Sequence, residues 1–126
     1  MLRTDEFGNR YWYNLNGELH REDGPAIECI DGGRRWYVNG ELHRGDGPAV
    51  EYNNGTKCWY ANGKLYREDG PALEIFNGTK CWYNTEGELH REEGPAIEYW
   101  NGGKGWYLNN EEYTEEAYKE KVGETC

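Results

Sequence analysis

Aliphatic side chains are scarce. Leu, Ile, Val and Phe together number 17 of 126 residues, a share of about 13% that ordinarily accompanies disorder. No apolar run approaches the length of a membrane span. The opening Met1-Leu2-Arg3-Thr4-Asp5-Glu6 lacks the hydrophobic stretch of a secretory signal. The expectation is a cytoplasmic protein with no membrane partner. Basic charge is in deficit, with 24 Asp and Glu against 14 Lys and Arg and a net charge of −10. That balance disfavours nucleic acid as a partner, because phosphate binding needs clustered Lys and Arg. No Cys-x-x-Cys pair occurs among Cys29, Cys58, Cys81 and Cys126. Zinc spacing is therefore missing, and reduced structural thiols are expected.

Rings take the place of aliphatic chains. Six Trp and 11 Tyr raise the aromatic share to 15%, and each ring can bury a large area. They also recur. Trp-Tyr occurs at Trp12-Tyr13, Trp36-Tyr37, Trp59-Tyr60, Trp82-Tyr83 and Trp106-Tyr107, with Trp spacings of 24, 23, 23 and 24. Gly-Pro occurs at Gly24, Gly47, Gly70 and Gly94. The two long copies carry their extra residue in one place, between Trp-Tyr and the next Gly (WYNLNG and WYNTEG against WYVNG and WYANG). A fixed period of this length marks a tandem-repeat architecture.

The consensus G-x-x-x-W-Y-x-N-G-x-L-H-R-x-D-G-P-A-x-E-x-x-N contains two turn signals. Asn39-Gly40 and Asn62-Gly63 suit type I′ hairpins, and Asp31-Gly32, Asn54-Gly55 and Asn77-Gly78 are read as a second set of the same kind. Strands are expected over Pro48–Tyr52, Lys57–Ala61 and Lys64–Arg67. Pairing would set Glu51 opposite Cys58 and Val50 opposite Trp59 across one turn, and Tyr37 opposite Leu42 and Trp36 opposite His43 across the other. After Trp106-Tyr107 the pattern breaks. Thr114 reads as an N-cap, Glu115 and Glu116 as a first turn, and Gly123 as the stop of a helix over 114–122. The predicted fold is all-β: hairpin repeats of about 23 residues (8–31, 32–54, 55–77, 78–101 and a partial 102–113) forming a short single-sheet solenoid, capped by that C-terminal helix.

With WYxNGxLHR in view, the chain resembles MORN repeats, which are also β-hairpin units of about this length. Tyr37, Gly40 and His43 fall where a MORN unit has its Trp, Gly and His, although Arg-x-Asp-Gly-Pro-Ala follows here in place of Gly-x-Gly. The longer string WYxNGxLHRxDGPAxE, over residues 7 to 108, resembles a repeat of tailed-bacteriophage and giant-virus proteins. That resemblance implies a viral source and, by analogy, a protein-interaction or counter-defence role.

Candidate chemistry is weighed against structural roles. The His-Arg-x-Asp string occurs at His20, His43 and His90, with Tyr66 in the third copy and Glu93 for Asp in the fourth. Four similar copies suit structure better than catalysis, which needs one site. The ring is expected to stack, the Arg to lie over an aromatic, and the Asp to fix the turn. Equivalent residues of successive units should lie two strands, or about 10 Å, apart. Shared metal ligation by the histidines and a Cys58–Cys81 disulfide both require closer approach. The ladder Glu28, Glu51, Glu74 and Glu98 reads as a solvated face offset by Arg34, Arg35, Lys57, Lys80 and Lys104. The Asn-Gly-Thr strings at Asn54 and Asn77 match the glycosylation pattern and are read as tight turns.

DNA mimicry fits poorly. The body through Leu108 holds 18 acids and 12 bases, whereas duplex DNA over the same ~45 Å carries about 26 charges. The acidic tail, with Glu111, Glu112, Glu115 and Glu116, is the candidate interaction segment. No catalytic residue, cofactor or metal is assigned. Candidate binding residues are Trp36, Trp59, Trp82, Arg44, Arg67, Arg91, His43 and His90. The expected function is non-enzymatic binding of a host or viral protein. The alternatives are a sponge for a small nucleotide-type ligand and a structural homo-oligomer.

Overall fold

The computed structural model describes residues 1–124. The repeats lay down one antiparallel eleven-stranded sheet whose strands follow chain order. Its strands are Leu2–Thr4, Arg10–Trp12, Ile27–Glu28, Arg34–Arg35, Val50–Glu51, Lys57–Cys58, Leu73–Glu74, Lys80–Cys81, Ile97–Glu98, Lys104–Leu108 and Glu111–Tyr113. The sheet is open rather than closed into a barrel, and one helix, Glu115–Glu124, follows its last strand. This is the predicted short solenoid, with one strand, Leu2–Thr4, ahead of the first repeat. Beyond the main sheet the repeats form smaller pairs, Tyr37–Val38 with Glu41–Leu42 and Tyr60–Ala61 with Lys64–Leu65. In the two long copies only the single bridges Tyr13–Leu19 and Tyr83–Leu89 remain.

The expected strand Lys57–Ala61 is in fact divided at Trp59. Lys57–Cys58 belongs to the main sheet and Tyr60–Ala61 to the small hairpin. Trp59 joins them by donating its N–H to Ala72 O (2.7 Å) and accepting from Tyr66 N (3.0 Å). The two turn classes also differ from each other. Asn39-Gly40 and Asn62-Gly63 are two-residue turns with both residues at positive φ (47° and 84°; 51° and 82°), and Tyr37 pairs with Leu42 as expected. His43 N donates to Trp36 O. At Asn54-Gly55 only the glycine has positive φ, 94°. Tyr52 N bonds Thr56 O and Gly55 N bonds Tyr52 O. This is a three-residue loop with Gly in the left-handed position. The longer loop moves the register by one residue: Glu51 faces Lys57 and Val50 faces Cys58, correcting the pairing read from the sequence.

That register sorts the side chains into two rows, because cross-strand partners share a face. One row alternates in charge across nine strands: Arg10, Glu28, Arg34, Glu51, Lys57, Glu74, Lys80, Glu98 and Lys104. Opposite charges facing each other across strands stabilise the sheet. Arg35, expected among the bases offsetting the glutamates, sits in the other row between Ile27 and Val50 and lies 5.7 Å over the Tyr52 ring. The second row holds the buried Val50, Cys58, Cys81 and Ile97. Ala26, Ala49, Ala72 and Ala96 are fully buried, and among the described residues no large side chain is. The core is therefore a thin, repeated layer. Cys58 and Cys81 are free and both face Leu73, one strand to either side. Burial pushes both thiols up. Cys29 is also free, and Cys126 lies outside the described residues.

The helix closes the last unit. Thr114 caps it, its Oγ1 accepting from Ala117 N at 3.2 Å. The helix runs through Gly123 to Glu124, past the stop expected at Val122. Tyr118 is 3% exposed, and its ring lies 4.9 Å from that of Trp106. Its hydroxyl donates to Arg91 O and accepts from Gly94 N. Tyr118→Ala is therefore expected to cost about 3 kcal/mol in urea unfolding, and Tyr118→Phe about 1 kcal/mol. Equal effects would show that the hydroxyl, not the ring, attaches the helix.

Candidate binding face

Each complete unit builds the same polar cluster on its tryptophan. The Arg44 guanidinium lies 3.8 Å above the Trp36 ring. Its Nε pairs with Asp46 at 3.0 Å, and its Nη1 donates to Pro48 O at 3.1 Å and Glu51 at 3.3 Å. Arg21 on Trp12, Arg67 on Trp59 and Arg91 on Trp82 repeat the stack at 3.8, 3.9 and 3.8 Å. Arg21, Arg67 and Arg91 also repeat the bonds to the Pro carbonyl and to Glu28, Glu74 and Glu98. The Nε–carboxylate pair is present where the sequence has Asp, at Asp23, Asp46 and Asp69. The glycine before each proline lets the guanidinium approach: a Cβ on Gly47 would stand 3.0 Å from Arg44 Cζ. The glutamate ladder is thus one partner of an arginine clamp, with each rung two strands from the next.

The histidines, expected to stack, act between units. Nδ1 of His20, His43 and His90 accepts from the backbone N–H of Asn39, Asn62 and Asn109, at 3.0, 3.1 and 2.9 Å. Each of those asparagines opens a two-residue turn in the following unit, with φ of 47°, 51° and 49°. Accepting at Nδ1 places the ring proton on Nε2, and in His20 and His90 that nitrogen lies 3.5 Å from a Glu22 or Glu92 carboxylate oxygen. Tyr66 breaks the series where the following unit has the longer Asn84–Gly87 turn, closed by Asn84 N to Glu88 O. The residue at the His position therefore follows the turn type of its neighbour. The sequence showed this pattern, since His20, His43 and His90 precede WYVNG, WYANG and WYLNN while Tyr66 precedes WYNTEG.

Between successive units this end of the strands opens into three clefts of about 690, 710 and 730 Å³. The candidate residues Trp36, Trp59, Trp82, Arg44, Arg67, Arg91, His43 and His90 all line them. The clefts bring these residues into one repeating furrow, but each ring carries a guanidinium and each His Nδ1 holds a backbone donor. Exposed acids form the rim: Glu22, Asp23, Asp46, Glu68, Asp69, Glu92 and Glu93. Sequence reasoning placed the acidic candidates in the tail instead. There, Glu111 accepts from the Tyr113 hydroxyl, Glu115 pairs with Lys119 at 3.0 Å, and Glu115 and Glu116 sit in the first helical turn, where negative charge is favourable. In the first of these clefts, burial pushes the pKa of the Tyr83 hydroxyl up to about 12.

No family model matches this chain, and no curated protein matches it.

His43→Tyr should cost about 1 kcal/mol in urea unfolding, because the Asn62 N–H loses its acceptor. Tyr66→His, which precedes a longer turn, should leave stability unchanged within about 0.5 kcal/mol. Equal costs would separate the histidine from the turn it contacts.

Proposed function

We propose that the chain is a non-enzymatic binding protein that engages an extended, basic surface of a protein partner. The observation that carries this reading is the furrow: three clefts of nearly equal volume, built from the same residues and open along one side of the repeat. A periodic surface suits a partner that spans several units, whereas a small ligand needs one enclosed pocket. The aromatic rings and arginines are held in place by one another, so the groups presented outward are the acids of the rim. Charge on an accessible rim steers association and selects against like-charged partners. The resemblance of WYxNGxLHRxDGPAxE to repeats of tailed-bacteriophage and giant-virus proteins supports a host or viral partner and a cytoplasmic setting. On this reading the protein is an inhibitor or adaptor that acts by occupying a surface.

Immobilised wild type should retain one stoichiometric protein from a host lysate, released by salt. Glu68→Lys with Glu93→Lys, two exposed rim positions, should abolish that retention while leaving the circular dichroism spectrum unchanged. Equal capture by the double variant would remove the furrow from the interface. Co-purified material absorbing at 260 nm and released on heating would favour a nucleotide sponge instead.

A further inference from the structure

At the opposite end of the strands, the loops of the C-terminal half repeat one pattern of donors. Glu51, Glu74 and Glu98 give Oε2 to the clamp arginines Arg44, Arg67 and Arg91 at 3.3, 3.2 and 3.1 Å. The bases that alternate with them, Lys57, Lys80 and Lys104, are exposed. Among the described residues, no ion pair or side-chain hydrogen bond holds their ammonium groups. The loop before each lysine adds an amide. Oδ1 of Asn54, Asn77 and Asn101 accepts from the N–H of Thr56, Thr79 and Gly103 at 2.9, 3.0 and 3.0 Å, which leaves each NH2 as an exposed donor. That amide is not needed to form the loop. Asp31 takes the same place one loop earlier, its Oδ1 accepting from Gly33 N at 2.9 Å. Apolar groups stand beside the donors. Phe76 and Trp100 are each 66% exposed, and their backbone N–H groups are tied to Oγ1 of Thr56 and Thr79 at 3.1 and 3.2 Å. Asn54, Lys57, Phe76 and Lys80 line one shallow cleft of about 260 Å³.

Charge and spacing identify the occupant. An ammonium beside an amide NH2 presents donors only, so the group that matches them is an anionic acceptor such as a carboxylate. Equivalent lysines lie two strands apart, about 9.6 Å. A polypeptide in the polyproline II conformation returns to the same face every three residues, after about 9.3 Å. A carboxylate at every third position therefore meets one lysine after another, and the residues between reach Phe76 and Trp100. Denser polyanions match less well. Duplex DNA carries a charge about every 1.7 Å. A chain of net charge −10 is repelled by that density, and by an anionic bilayer, more strongly than by a few spaced carboxylates. The loops of the N-terminal half lack the pattern, because Glu6 and Asp31 place negative charge there.

We propose that the edge formed by the loops at Asn54, Asn77 and Asn101 binds an extended acidic segment of a protein, with a carboxylate at every third residue and apolar side chains between. This site shares no residue with the furrow, which lies at the other end of the strands and presents the opposite charge.

The probe is a fluorescein-labelled peptide of four Pro-Leu-Glu repeats, followed by fluorescence anisotropy at low salt. Wild type should bind it saturably, and at least tenfold more tightly than the same peptide with glutamine in place of glutamate. Asn54→Asp with Asn77→Asp and Asn101→Asp should weaken binding at least tenfold. The circular dichroism spectrum should stay unchanged, since Asp31 already serves in such a loop. The furrow variant, Glu68→Lys with Glu93→Lys, should bind the peptide at least as tightly as wild type, so that the two surfaces hold or fail separately. Absence of saturable binding, an aspartate variant that binds as tightly as wild type, or tighter binding of a labelled oligothymidine or of phosphatidylserine vesicles than of the peptide would each overturn the proposal.

Discussion

The stacked arginine holds each unit together. A repeat with so few aliphatic residues cannot build a deep core, and the fully buried residues are alanines. What fixes the Gly-Pro-Ala segment against the tryptophan is one guanidinium, which contacts a ring, a carboxylate of the strand and a backbone carbonyl together, and an Asp of the loop in three of the four copies. Each contact alone is small. A cation over an aromatic ring contributes about 0.5–2 kcal/mol depending on its exposure, and an ion pair with a half-exposed glutamate about 1 kcal/mol or less. Converging on a planar, mostly buried group, they constrain its position far more than any one of them does. Arginine suits this role because its donors form a fixed fork and its flat face stacks.

The same arrangement explains why the units form an array. Within a unit the arginine side chain joins the loop to the sheet. Between units, the backbone N–H groups of Arg21, Arg44 and Arg91 bond the carbonyls of Tyr37, Tyr60 and Tyr107, and the histidines receive the next hairpin. Each unit thus finishes its neighbour, and nearest-neighbour terms of this kind govern repeat proteins. The last tryptophan, Trp106, has no arginine of its own. Tyr118 covers it from the C-terminal helix, so the cap substitutes one ring for one guanidinium.

Much of this was legible in the sequence. The period, the type I′ turns at Asn39 and Asn62, the arginine over the ring and the capping helix follow from spacing and residue type. The register at Asn54 did not, because Asn-Gly serves both a two-residue turn and the last two positions of a three-residue loop, and a difference of one residue moves every partner. The break at Trp59 was hidden for a related reason: five consecutive strand-forming residues do not reveal that the backbone changes sheets between the second and the fourth. The furrow was half legible. Its rings and arginines were singled out, but their mutual engagement arises only when the Gly-Pro loop folds back, and that leaves the rim acids as the exposed groups.

The guanidinium acts as a planar clamp rather than as positive charge alone. Urea unfolding of Arg67→Lys beside Arg67→Ala tests this directly, because lysine keeps the charge and the reach but neither stacks flat nor donates in a fork. The lysine variant should lose most of the ~2–3 kcal/mol lost by the alanine variant. A lysine variant within about 0.5 kcal/mol of the wild type would contradict it and reduce the clamp to ordinary charge pairing.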